Sequence, residues 1–160
     1  MLRLRTMAVA VVALAVSACG FTPLYGDVAG SPALTRIAVS TQDDRLGYRL
    51  REQLEDALAW DRSATPLYRL QTQVEQERRP LGRRIDDTAS RYELTVRAAW
   101  TLTPVAGGDT LAGVETSILT YAAADQPYAA IAAQQDGEDR AAAELARLIR
   151  LDILRALSGR

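Results

Sequence analysis

Three hydrophobic patterns follow one another along the chain. The first is an unbroken apolar run, Met7 to Val16, behind the basic residues Arg3 and Arg5. The second is alternation of period two. Thr35 to Thr41 sets Ile37 and Val39 on one side and predicts a short strand, and Tyr68, Leu70, Thr72 and Val74 alternate with Arg69, Gln71, Gln73 and Glu75 to predict another. The clearest strand carries Tyr92, Leu94, Val96, Ala98, Trp100 and Leu102 on one face and Arg91, Glu93, Thr95, Arg97, Ala99 and Thr101 on the other. Such a pattern belongs to an antiparallel sheet with one wet face. Ala106-Gly107-Gly108-Asp109 then turns the chain into a β-branched stretch, Thr110 to Tyr121.

The third pattern is helical. From Arg45 to Trp60, Leu46, Leu50, Leu54, Ala57 and Leu58 recur on one face, with Asp43 or Asp44 as candidate cap. A last helix is predicted from Pro127 to about Leu157, with Gly137 as a possible interruption. Its stripe is Leu145, Leu148, Ile149, Ile153, Ala156 and Leu157, widened by Leu151 and Leu154, which fits packing against both a sheet and the first helix, the alternative being a partner-binding stripe. The order β-α-β-β-β-α predicts an α+β two-layer sandwich, with two helices on one face of a four-stranded, mainly antiparallel sheet, within one domain spanning residues 35–160.

The N-terminal run is too short for a membrane span, which takes about 20 apolar residues. It fits a secretory signal over residues 1–18, and Val16-Ser17-Ala18-Cys19 resembles a lipobox. Cys19 is the only cysteine, so no intramolecular disulfide is open to it, and a stray exported thiol is the bland alternative to acylation. The thiol would carry diacylglycerol by a thioether and the freed α-amine a further acyl chain such as palmitate. At about 0.8 kcal/mol per buried CH₂, two or three chains hold a protein on a bilayer without an apolar helix. Gly20 stands where enteric bacteria use aspartate to retain lipoproteins in the inner membrane, which favours the outer membrane by analogy. Residues 19–34, with Pro23, Gly26, Gly30 and Pro32, read as an irregular tether.

Composition removes most chemistry. There is no histidine, which excludes imidazole catalysis and histidine metal sites. No phosphate-cradling glycine loop or calcium loop occurs, and no cofactor is expected apart from the covalent lipid; Asp136-Gly137-Glu138-Asp139 reads as acids at the start of a helical turn. Asp86 and Asp87 read as solvated loop residues rather than an acid–base pair. An enzyme is not expected. Loss of Arg3 and Arg5 from 19 basic residues, against 20 acidic ones, leaves the mature chain at −3. Nucleic acid is not an expected partner, because export separates the protein from it.

Every basic residue is arginine, which a GC-rich genome explains and which also supplies planar forks for phosphate. Arg78, Arg79, Arg83 and Arg84 fall within seven positions, with Arg91 and Arg97 following on the polar face of the third strand. They are candidates for gripping the phosphates of lipopolysaccharide. The competing reading is a solvated hairpin tip neutralised by Glu75, Glu77, Asp86 and Asp87.

Cys19-Gly20-Phe21-Thr22-Pro23-Leu24-Tyr25-Gly26 resembles the mature N-terminus of the LPS-assembly lipoprotein LptE (RlpB) family, in its α-proteobacterial form. Thr88-Ala89-Ser90-Arg91-Tyr92-Glu93-Leu94 and Tyr121-Ala122-Ala123-Ala124-Asp125-Gln126-Pro127-Tyr128-Ala129 are similar to that family as well. The resemblance implies a non-enzymatic outer-membrane lipoprotein facing the periplasm. It would plug the β-barrel LptD, help it assemble, and assist lipopolysaccharide transport. The family's lipopolysaccharide-binding residues match none here one to one, so the arginine set is read from the residues alone. The alternative is an auxiliary lipoprotein of an ABC-type lipid or solute transporter.

Overall fold

The alternating stretches form four strands, β1 (Ile37–Ser40), β2 (Tyr68–Arg83), β3 (Ala89–Pro104) and β4 (Leu111–Ala122), and the helical spacing forms α1 (Arg45–Ala57) and α2 (Pro127–Ser158). The computed structural model describes residues 33–83 and 89–158. The strands make one sheet in the order β1-β2-β3-β4, parallel between β1 and β2 and antiparallel elsewhere. This is the α+β arrangement expected from the pattern. The expected signal segment, Cys19 and the expected tether up to residue 32 lie outside the described residues.

The two faces of the sheet separate by parity. Ile37, Val39, Leu70, Val74, Leu94, Val96, Ala98, Trp100 and Leu102 are buried on one face, against Leu46, Leu50, Leu54 and Leu58 from the α1 region and Ala141, Ala142, Leu145, Ala146, Ile149, Ile153 and Leu154 of α2. A buried Leu or Ile contributes roughly 1.5–3 kcal/mol, several times the worth of an exposed ion pair, so these side chains decide the fold. Among the described residues no helix lies on the opposite face, in keeping with the alternation of β3. The breadth of the apolar arc on α2 has the predicted cause, since the helix packs against both α1 and β4.

Local chemistry explains the boundaries. The Asp44 carboxylate caps α1 by accepting the Gly47 amide N–H at 2.6 Å. The helix stops at Ala57 rather than Trp60, because Ala59 adopts φ +50° and the Ala59 and Trp60 amides turn back to Asp56 and Glu55 carbonyls. This is a Schellman stop built on alanine. The first strand is shorter than expected, because a 3₁₀ turn at Leu34–Arg36 takes up its start. β2 runs well beyond Glu75, to Arg83, because its pairing with β3 supplies order that its polar sequence does not advertise.

Gly137 does not interrupt α2. It sits inside the helix, where a Cβ would come within 3.3 Å of Leu119 and Tyr121, so glycine lets the helix approach β4. Glu138 and Asp139 likewise lie within a helix rather than at its start. Gly113 has a comparable role on β4: it is the register partner of Trp100, and a Cβ there would lie 2.6 Å from the indole. Trp100 Nε1 and Thr72 Oγ1, from another register pair, are buried without hydrogen-bond partners.

The strand edges are treated unequally. β1 covers β2 only from Tyr68 to Gln71. Just beyond, the Gln42 carboxamide accepts the Val74 N–H at 2.8 Å and donates to the Val74 carbonyl at 2.9 Å, standing in for a missing strand. Pro80, without an N–H, follows on the same strand.

One carboxylate is held against its preference. Burial, then a hydrogen bond and repulsion from Asp152 of α2, raise the Glu115 carboxyl above its ordinary range, while Arg155 opposes them. The native state therefore binds this proton more tightly than the unfolded chain. The resulting stability is present below the unfolded pKa of about 4.3 and is lost as pH rises through the raised native value. Glu115→Gln should be nearly neutral at pH 4 and stabilising at pH 7, by about 0.5 kcal/mol or less for so exposed a pair. Urea unfolding at the two pH values checks this, and a variant less stable than wild type at pH 7 would contradict it.

Candidate functional site

β2 and β3 extend beyond the cover of the helices. Their paired ends carry Gln76, Arg78 and Pro80 exposed even on the face that is buried farther down. Between this end and the first turns of α2 lies a groove of about 450 Å³, lined by Arg78, Tyr92, Tyr121, Asp125, Ile131 and Gln134. The Arg78 guanidinium lies 4.8 Å from the Tyr92 ring centroid and donates to Gln134 Oε1 at 3.1 Å. Tyr92 and Tyr121 stack with centroids 5.6 Å apart, and the Tyr121 hydroxyl is buried without a hydrogen-bond partner.

A polar chain leads out of the groove through the helices. Gln134 donates to Glu138 Oε1 at 2.9 Å, and Arg45 Nε of α1 donates to Glu138 Oε2 at 3.1 Å. Arg45 and Arg49 both reach Asp139, each at 3.2 Å. A hydrogen bond to Glu52, followed by the charge of Asp139, raises the Arg49 pKa above its ordinary value. Buried Glu138 thus keeps its charge satisfied while locking the two helices in register. The guanidinium in the groove is oriented by this arrangement rather than left to rotate freely.

The structure distributes the candidate arginines over both faces. Arg78 points to the helix side, whereas Arg79, Arg91 and Arg97 stand on the open face. There, acids are interleaved with them. Arg97 is the register partner of Glu75, and Arg79 that of Glu93, with Glu77 3.8 Å from Arg79. Arg91 lies between Leu81 and Ala122. Arg83 ends β2, its side chain not among those described, and Arg84, Asp86 and Asp87 lie outside the described residues. Adjacent numbers in a strand point to opposite faces, so the sequence cluster is not one continuous patch.

Counting charges passes over Tyr92, Tyr121 and Gln134. A signal for the first two was present in the family-like segments around Arg91-Tyr92 and Tyr121-Ala122. Gln134 carries none, because it joins the groove only through the angle at which α2 leaves β4.

The open face also contains a shallow hollow, where the small side chains Ala99 and Ala112 lie between Gln71, Gln73, Thr101 and Val114. Among the described residues, no group of three metal-binding side chains comes together and no helix is long and apolar enough to cross a membrane. Grip on anions and stacking on aromatic rings are what the groove offers.

Comparisons with known proteins agree with this architecture. Residues 34–153 match the family described as LptE: Lipopolysaccharide-assembly. The solved structure of a Caulobacter crescentus CB15 protein, assigned as a lipoprotein, is similar with 44% identity and a TM-score of 0.68, over 79% of this chain and 93% of that one. Rare lipoprotein B from Shewanella oneidensis is 18% identical with a TM-score of 0.47, over 77% of this chain and 93% of that one. Lipoprotein B from Nitrosomonas europaea is 16% identical with a TM-score of 0.49, over 77% and 84%. No curated protein matches the sequence. With the family match spanning nearly all of the described domain and the Caulobacter structure repeating it at high identity, the chain belongs to the LptE lipopolysaccharide-assembly family.

Proposed function

We propose that the protein is an outer-membrane lipoprotein, acylated at Cys19 and facing the periplasm, that plugs and helps assemble the LptD β-barrel and assists lipopolysaccharide insertion. The family match over residues 34–153 carries this reading. The sheet's open face suits it physically, because its mixed charges and short polar side chains resemble what the polar lumen of a large barrel accepts as a neighbour. The work is contact and binding rather than bond making.

Affinity capture of the detergent-extracted protein tests the partner. Recovery of a large β-barrel is the expected result, and an inner-membrane permease complex without such a barrel would displace the reading in favour of an auxiliary transporter subunit. For the anchor, Cys19→Ala should abolish incorporation of labelled fatty acid; label persisting on that variant would refute acylation there.

Arg78, Arg79, Arg83, Arg84, Arg91 and Arg97 are the proposed lipopolysaccharide contacts. A charge-assisted hydrogen bond is worth about 1.5–3 kcal/mol, so replacing the first four with Ala should weaken binding at least tenfold. Titration against purified lipopolysaccharide measures this, and unchanged affinity in a folded variant would discard the assignment.

A further inference from the structure

Among the described residues, Arg78 is held by neutral groups: its guanidinium lies 4.8 Å from the Tyr92 ring centroid and donates to the Gln134 carboxamide oxygen at 3.1 Å. Arginines of the open face stand beside acids instead, Arg97 opposite Glu75 and Arg79 opposite Glu93 with Glu77 near it. A carboxylate is nevertheless close by, one helical turn beyond Gln134. Buried Glu138 accepts from the Gln134 carboxamide nitrogen at 2.9 Å on one oxygen and from Arg45 at 3.1 Å on the other. Gln134 therefore stands between a cation and an anion and touches both. Among the described residues that line the groove, Arg78 is the one cation and Asp125 the one anion, so a second carboxylate on this wall would turn the balance negative.

A carboxamide suits this place because it is acceptor and donor at once. Its oxygen has to face the guanidinium and its nitrogen the carboxylate, since the reverse would set donor against donor and acceptor against acceptor. The amide thus has one orientation, and Arg78 is aimed by a chain of contacts from α1 through α2 to β2 without meeting a formal charge. A carboxylate at position 134 would grip the guanidinium harder, but it would also occupy the charge that an incoming anion has to find. We propose that Gln134 is a positioning residue for anion binding in the groove, fixing Arg78 by way of Glu138 while leaving the guanidinium charge uncancelled for a phosphate of lipopolysaccharide. This rests on the reading of Arg78 as a lipopolysaccharide contact. It adds that the place of the carboxylate, a turn away from the groove rather than on its wall, decides whether the groove takes an anion.

The test titrates the full-length protein, extracted in detergent, with purified lipopolysaccharide. Exchanging the two side chains in the double variant Gln134→Glu/Glu138→Gln keeps the net charge and both links of the chain, and moves only the carboxylate by one turn. This variant should melt close to the wild-type temperature and bind about tenfold more weakly, as Arg78→Ala should. Gln134→Met, which removes the amide but adds no charge, should bind with an affinity between those of the wild type and the exchange. Gln134→Glu alone, at a half-buried position, supplies the same comparison where the exchange does not fold. Wild-type affinity in the folded exchange variant, or binding by Gln134→Met as weak as that of the exchange, would overturn the proposal while leaving Arg78 a contact. Unchanged binding by Arg78→Ala would instead remove the contact itself, and the role of Gln134 with it.

Discussion

The burial of a single face of the sheet under two helices governs the rest of this structure. Four strands present two surfaces, and two helices are enough to cover one of them. The side chains of α1 and α2 meet Leu70, Leu94, Val96, Trp100 and Leu102 there, and the opposite surface has to be polar enough to stand without cover. That requirement fixes the alternation of β3 and spreads arginine and glutamate across the open face. Close approach of α2 to β4 follows from the same need, and Gly137 and Gly113 remove side chains where Tyr121, Leu119 and Trp100 would be struck. A partner meeting the open side therefore meets charge and hydroxyls, whereas a ligand entering beside α2 meets aromatic rings.

The groove exists because β2 and β3 outrun the helices. Inside the sandwich, Arg78 would be an uncompensated buried cation. Past the end of the core, its guanidinium can lie over Tyr92 while donating to Gln134. The interhelical ion pairs are then more than surface decoration. Arg45, Glu138 and Asp139 fix the rotation of α2, and with it the place of Gln134 at the groove wall. Individually such half-exposed pairs are weak, but a shared network with a buried carboxylate at its centre resists piecemeal loss.

What could be read from the sequence divides along the same physical line. Elements with a wet and a dry side declared themselves: β3 by period two, α1 by its leucines, and α2 by a broad apolar arc. Elements held by a neighbour did not. The outer half of β2 has no apolar alternation, and only pairing with β3 makes it a strand. Gly137 looks like a helix breaker until Leu119 and Tyr121 are brought against it. The arginine cluster shows the sharpest divergence. Neighbouring positions in the sequence suggested one patch, but extended backbone sends Arg78 and Arg79 to opposite sides. The groove was beyond linear reading, since Tyr92, Tyr121 and Gln134 come from three elements.

The side-chain amide of Gln42 has a consequence for growth. By satisfying Val74 where β1 gives out, and with Pro80 farther along, it leaves the sheet a terminus that accepts no further strand at either place. Beyond the reach of β1 the sheet therefore cannot grow past β2 at those two positions into a longer assembly.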